Sequence, residues 1–166
     1  MPVMPPGTQA YPCPAHEMLL LAHQHESREM DRYRGLALSF LTSHPKISRL
    51  MAALGIECEQ RMSALEALAH KLKQRDCLPA AIDSPEQWPA ARRLHLFISD
   101  DAMAAQVLSN ALAFAQHSRQ FSELMVPSCQ LPELEALLVQ FIEQKSQECQ
   151  LLEECQEASG PGAARA

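Results

Sequence analysis

Glu26 interrupts an otherwise apolar stripe. Leu19, Ala22, Glu26, Met30, Tyr33, Ala37 and Phe40 recur at steps of three and four, which places them on one face of an α-helix. A second stripe, Ile47, Leu50, Leu54, Cys58, Arg61, Leu65, Leu68 and Leu72, carries a basic residue, with Glu59 flanking it beside Met62. A carboxylate facing a Leu-Ala-Met interior must be paired, hydrogen-bonded or protonated, because its burial without a partner costs several kcal/mol on the order-of-magnitude scale for buried charges. Arg61, Arg28 and Lys145 are candidate cationic partners, and Tyr33 is a candidate hydrogen-bond donor. The other chemistry open to such acids is metal ligation. His23 and Glu26 share a helix face at spacing three, with His25, Glu29 and, on a later helix, His117 nearby. Two further chemistries find no footing. No serine or cysteine sits in a recognisable nucleophile motif, and the five glycines form no phosphate-cradling loop.

The elements that must position these residues are helices. Apolar residues make up 47% of the 166-residue chain but aromatics only 5%, so the core is built from Leu, Ala and Met, which favours helix packing over a sheet. Helix one is predicted over 15–41. Thr42 to His44 turn the chain, and Pro45 opens helix two, which runs to about Lys73. So short a turn joins antiparallel neighbours. Residues 74–98 hold Pro79, Pro85 and Pro89 and cannot be one helix; Ser84-Pro85-Glu86 reads as the opening of a short one that Trp88 could pin to the body. A connection of that length lets helix three start at the same end as helix two. Ser99-Asp100-Asp101 supplies the cap and first-turn acids of helix three, 102–125, with Met103, Val107, Ala111, Phe114, Ser118 and Phe121 as its stripe. Helix four opens at Pro132-Glu133 and carries Leu134, Leu137, Leu138, Phe141, Lys145, Glu148 and Leu152 inward. The expected organisation is a proline-rich leader at 1–14, an all-α four-helix bundle over 15–157, and a tail at 158–166.

These residues resemble a known family. Glu26-Ser27 with Tyr33 seven residues after Glu26, then His44-Pro45-Lys46-Ile47 and Leu50, then Glu59-Gln60-Arg61, is similar to the first helical pair of rubrerythrins and related ferritin-like di-iron proteins. Ala111-Leu112, Phe121 and Leu124, followed by Phe141, Gln144-Lys145 and Leu151-Leu152, resembles the second pair. The resemblance spans roughly residues 16 to 156 and implies a ferritin-like bundle with a long crossover between helices two and three. It also implies ligand positions. Glu26 matches the helix-one carboxylate, Glu59 the acid of a Glu-x-x-His, and Met62 its histidine. Ala115 and Ser118 fall where helix three would carry acids, and Gln144 and Gln147 where helix four would carry Glu-x-x-His. Thioether and amide groups do not replace hard carboxylates and imidazoles around iron. The expectation is therefore a bundle that has lost an ordinary di-iron centre, with no cofactor and a non-catalytic binding or structural role. The alternative is a diverged metal-binding oxidoreductase or metal-storage protein that holds iron or another divalent metal on Glu26 and Glu59, with His23 in reach.

Charge and cysteine usage bound the partners. A net charge of −6, with no concentration of Lys and Arg, argues against nucleic acid. No apolar run approaches the length of a membrane span. The six cysteines form no C-x-x-C pair, which argues against zinc-knuckle, rubredoxin-like and thioredoxin-type sites. Nor do Cys58, Cys149 and Cys155 form the dense repeats that thiol copper storage needs. Residues 1–14 lack a basic cluster and an apolar core, so a reduced, cytoplasmic protein is expected. A homodimer is a reasonable assembly, and any protein partner is unknown. Leu151, Leu152 and Cys155 continue the apolar stripe and could extend as a partner-binding helix.

Overall fold

The computed structural model describes residues 14–73, 78 and 97–159. Four long helices account for nearly all of them: α1 (Ala15–Phe40), α2 (Pro45–Lys71), α3 (Asp101–Met125) and α4 (Pro132–Ala158), with a short 3-10 turn, Val126–Ser128, between the last two. No strand occurs among the described residues. The expected leader and tail, the crossover and the helix opening at Ser84 with Trp88 lie almost entirely outside the described residues.

Local chemistry sets the helix ends. Pro45 and Pro132 each occupy the first turn of a helix, where a missing N–H is no loss. Asp100 caps α3, its carboxylate accepting the Met103 backbone N–H at 2.8 Å. At the end of α2, Lys73 adopts the left-handed conformation (φ 56°) that commonly terminates helices.

Two antiparallel hairpins result, α1 with α2 and α3 with α4; across the bundle α2 packs on α4 and α1 on α3. The hairpins are joined at one end by the Ile98 N–H donating to the Ser39 carbonyl at 3.1 Å and by His44 Nε2 lying 3.1 Å from Asp101 Oδ1. His44 precedes α2 and Asp101 opens α3, so these two helices start at the same end. Therefore α1 and α4 run one way, and α2 and α3 the other.

The interior is stacked in three layers. Tyr33, Phe40, Met51, Leu54, Leu108, Ala111 and Leu152 belong to an apolar cluster at the end where the hairpins join. Leu19, Leu65, Met125, Leu134, Leu138 and Phe141 belong to a second cluster at the opposite end. Between them every helix contributes polar side chains to the axis: Glu26, Arg61, Ser118, and Lys145 with Glu148, all at most 2% exposed.

Candidate functional site

The stripe spacing puts the middle layer together. Arg61 follows Leu54 and Cys58 and precedes Leu65 on the inward face of α2, while Lys145 and Glu148 lie between Phe141 and Leu152 on that of α4. Arg61 is the hub. Its Nε donates to Glu26 Oε2 at 2.8 Å, its Nη2 lies 2.6 Å from Glu148 Oε1, and the same Nη2 donates to Cys58 Sγ at 3.2 Å. Lys145 Nζ donates to Ser118 Oγ at 2.6 Å and lies 2.5 Å from Glu26 Oε1. The Tyr33 hydroxyl donates to Glu148 Oε2 at 3.3 Å. On the α1–α3 side, His25 Nε2 lies 2.8 Å from Ser118 Oγ, and its ring stacks on Phe121 with centroids 4.2 Å apart. Two carboxylates and two cations from α1, α2 and α4 thus balance, with the neutral Ser118 as the α3 contribution.

The electrostatics of the two acids differ. Burial by itself raises the pKa of Glu26, but Lys145 and Arg61 together overturn that and hold it below the usual carboxylate range. Glu148 moves the other way: burial outweighs the pull of Arg61 and Lys145 and raises it. The asymmetry follows from geometry, because Lys145 bonds Glu26 directly while Glu148 has only Arg61 and a longer bond from Tyr33. Burial also opposes the charge on Arg61, yet Glu26 and Glu148 more than offset it and raise its pKa. The Tyr33 hydroxyl and the Cys58 thiol are both pushed up by burial, so neither is a thiolate or phenolate nucleophile. His25 is pushed down to about 4 by burial first and then by Lys145.

The structure divides the residues singled out in the sequence. Glu26, Tyr33 and Ser118 come together in the layer, and Ala115 packs in the apolar cluster beside it. Glu59 does not join Glu26. It stands on the outside of α2 with its side chain 56% exposed, accepting from Arg34 Nη2 at 3.2 Å. Gln147 is exposed, and Met62 and Gln144 are half-buried. His23 is buried, but its Nε2 turns to Glu66 Oε1 at 2.9 Å. The inward pairs at spacing three are Cys58 with Arg61 and Lys145 with Glu148, each one residue from the pairs Glu59 with Met62 and Gln144 with Gln147 that the resemblance marked. Glu29, also buried, is held by Arg32, whose guanidinium lies 3.9 Å above the Phe114 ring.

Two consequences are measurable. Glu59→Ala is expected to change the unfolding free energy by no more than about 0.5 kcal/mol, because exposed ion pairs contribute little; a urea midpoint shift larger than that would place Glu59 in a tighter environment than the one seen. The second concerns pH. A histidine whose folded pKa is lowered contributes stability that is present above its unfolded pKa near 6.5 and is lost as pH falls through about 4. Glu26 adds loss in the same direction below the ordinary carboxylate value, while the raised pKa values of Glu148 and Glu29 oppose the His25 loss above that value, where these acids take up protons first in the folded chain. His25→Phe keeps the stack on Phe121 and removes the titration. Between pH 6.5 and 4 the wild-type chain should therefore lose about 2 kcal/mol more stability than this variant, allowing for screening at the exposed ring edge. Parallel melting curves for the two across that window would contradict the assignment.

The donor set does not fit a pair of metal ions. The two central carboxylates already face an ammonium and a guanidinium, whose positive charge opposes the entry of further, doubly charged ions. Among the described residues no three His, Cys, Asp or Glu side chains are grouped so that they could hold a metal. Nor is any described helix long and apolar enough to cross a membrane. Comparison of the chain with protein-family models, curated proteins and solved structures gave no match.

Proposed function

We propose that the chain is a ferritin-like, rubrerythrin-related bundle that has lost an ordinary di-iron centre and acts as a non-catalytic binding or structural protein of the cytoplasm. One observation carries the reading. Among the described residues the acids at the axis of the layer are Glu26 and Glu148; both are neutralised by the chain's own Arg61 and Lys145, and all four side chains are at most 2% exposed. A site so enclosed offers no reacting atom to a substrate, so any binding falls to the outer helix faces. The long crossover of the ferritin-like topology is supported by α2 and α3 starting at the same end. A metal centre on Glu26 and Glu59 is disfavoured because Glu59 sits on the outer face of α2, paired with Arg34. The test is elemental analysis of untagged protein purified without chelators, before and after incubation with ferrous iron. Metal well below one ion per chain, with no iron-dependent rise in melting temperature, is the expected result; one or more tightly held ions per chain would overturn the reading. Sedimentation of the same sample tests whether the partner is a second copy.

A further inference from the structure

Lys145 is the one side chain of the layer with no exposure at all. Burying a primary ammonium is costly unless its hydrogens meet acceptors, and a lysine has three to satisfy. Around Nζ the chain provides Glu26 Oε1 at 2.5 Å from α1 and Ser118 Oγ at 2.6 Å from α3. Ser118 is itself fixed by His25 Nε2 at 2.8 Å, and the His25 ring by its stack on Phe121. Glu26 is fixed from its other oxygen by Arg61. Every group that touches the ammonium is therefore held by something other than the ammonium. This distinguishes a preformed receptor from a salt bridge that collapses when one partner leaves.

We propose that Glu26, Ser118 and the surrounding layer form a cation site shaped for a primary ammonium, which the chain occupies with its own Lys145. The inference rests on the reading of the layer as metal-free and names what it selects instead. One formal negative charge, one hydroxyl oxygen and a guanidinium a few atoms away suit a singly charged hydrogen-bond donor. The same set is poor for a divalent ion, which needs several hard anionic oxygens and tolerates no fixed cation beside it.

The experiment uses Lys145→Ala in the full chain. The substitution removes three carbons and the ammonium, and propylammonium supplies three carbons and an ammonium in the same order. Propylammonium should raise the melting temperature of Lys145→Ala saturably, by roughly 3–6 °C at a free concentration about ten times its dissociation constant. It should leave the wild type and the double variant Lys145→Ala/Glu26→Gln unchanged. Tetramethylammonium, which has the charge but no N–H, should not substitute. If Lys145→Ala does not fold alone, the readout is recovery of helical circular dichroism on adding propylammonium. Equal effects of both ammonium ions, equal effects on all three proteins, or no effect on Lys145→Ala, folded or unfolded, would overturn the proposal. So would greater stabilisation of Lys145→Ala by manganese or zinc than by propylammonium. These outcomes are independent of the metal content of the wild-type protein, on which the functional reading stands or falls.

Discussion

Arg61→Met is expected to destabilise the folded chain by about 3–5 kcal/mol, the range for removing one partner from a buried ion pair. The cost arises from what is left behind. Glu148 keeps only the Tyr33 hydroxyl at 3.3 Å, and Glu26 keeps Lys145 but loses the bond to its second oxygen. Two carboxylates then share one ammonium in a region closed to water. Glu148, whose pKa is already raised by burial, would take up a proton, which limits the loss but does not abolish it. Urea unfolding should show a lower midpoint with an unchanged slope, and the melting temperature should fall by roughly 6–20 °C. Arg61→Lys preserves the charge but not the planar fork, so one ammonium must serve two carboxylates that the guanidinium reaches through separate nitrogens; it should recover only part of the loss. A change below about 1 kcal/mol for Arg61→Met would mean that the layer is solvated in solution.

Replacing the layer as a whole should have the opposite outcome. With Glu26→Leu, Arg61→Met, Lys145→Met and Glu148→Leu combined, and Tyr33→Phe added so that no hydroxyl is orphaned, stability is expected to equal the wild type or exceed it by about 1–4 kcal/mol. The ions contribute attraction, but each was stripped of water to enter the interior, and an apolar set of similar volume avoids that penalty. The layer joins two apolar clusters that already line the axis, so leucine and methionine there extend a continuous core. The contrast with Arg61→Met is the informative quantity: large single losses with no combined loss define a coupled network. A combined variant that loses as much as the sum of its single substitutions would show that the ions themselves stabilise the bundle.

Much of this architecture is legible in the sequence. The stripes assigned Arg61, Lys145 and Glu148 to inward faces, and all three are buried. Pro45, Pro132 and Asp100 marked helix starts within a residue of where they fall, since each acts through its own backbone or its immediate neighbours. Spacing within a motif is less specific than periodicity along a helix. The pairs Glu59 with Met62 and Gln144 with Gln147 have the right spacing for ligands, but each is displaced by one residue from the inward pair. One residue is about 100° around a helix, enough to carry a side chain from the axis to the surface. The lysine standing between Phe141 and Leu152 was the signal that the α4 register belonged to Lys145 and Glu148.

The sequence by itself determined four amphipathic helices, their ends, and the fact that buried acids and bases would need one another. Only the tertiary structure decided which met which: that Arg61 spans Glu26 and Glu148, that Lys145 reaches Ser118 within its own hairpin and Glu26 in the other, and that Glu59 faces outward to Arg34. The physical reason is that periodicity is a property of one helix, whereas a salt bridge between α1 and α4 depends on the rotation and height of both. Those are fixed by how the apolar layers above and below pack, not by any residue taking part in the bridge.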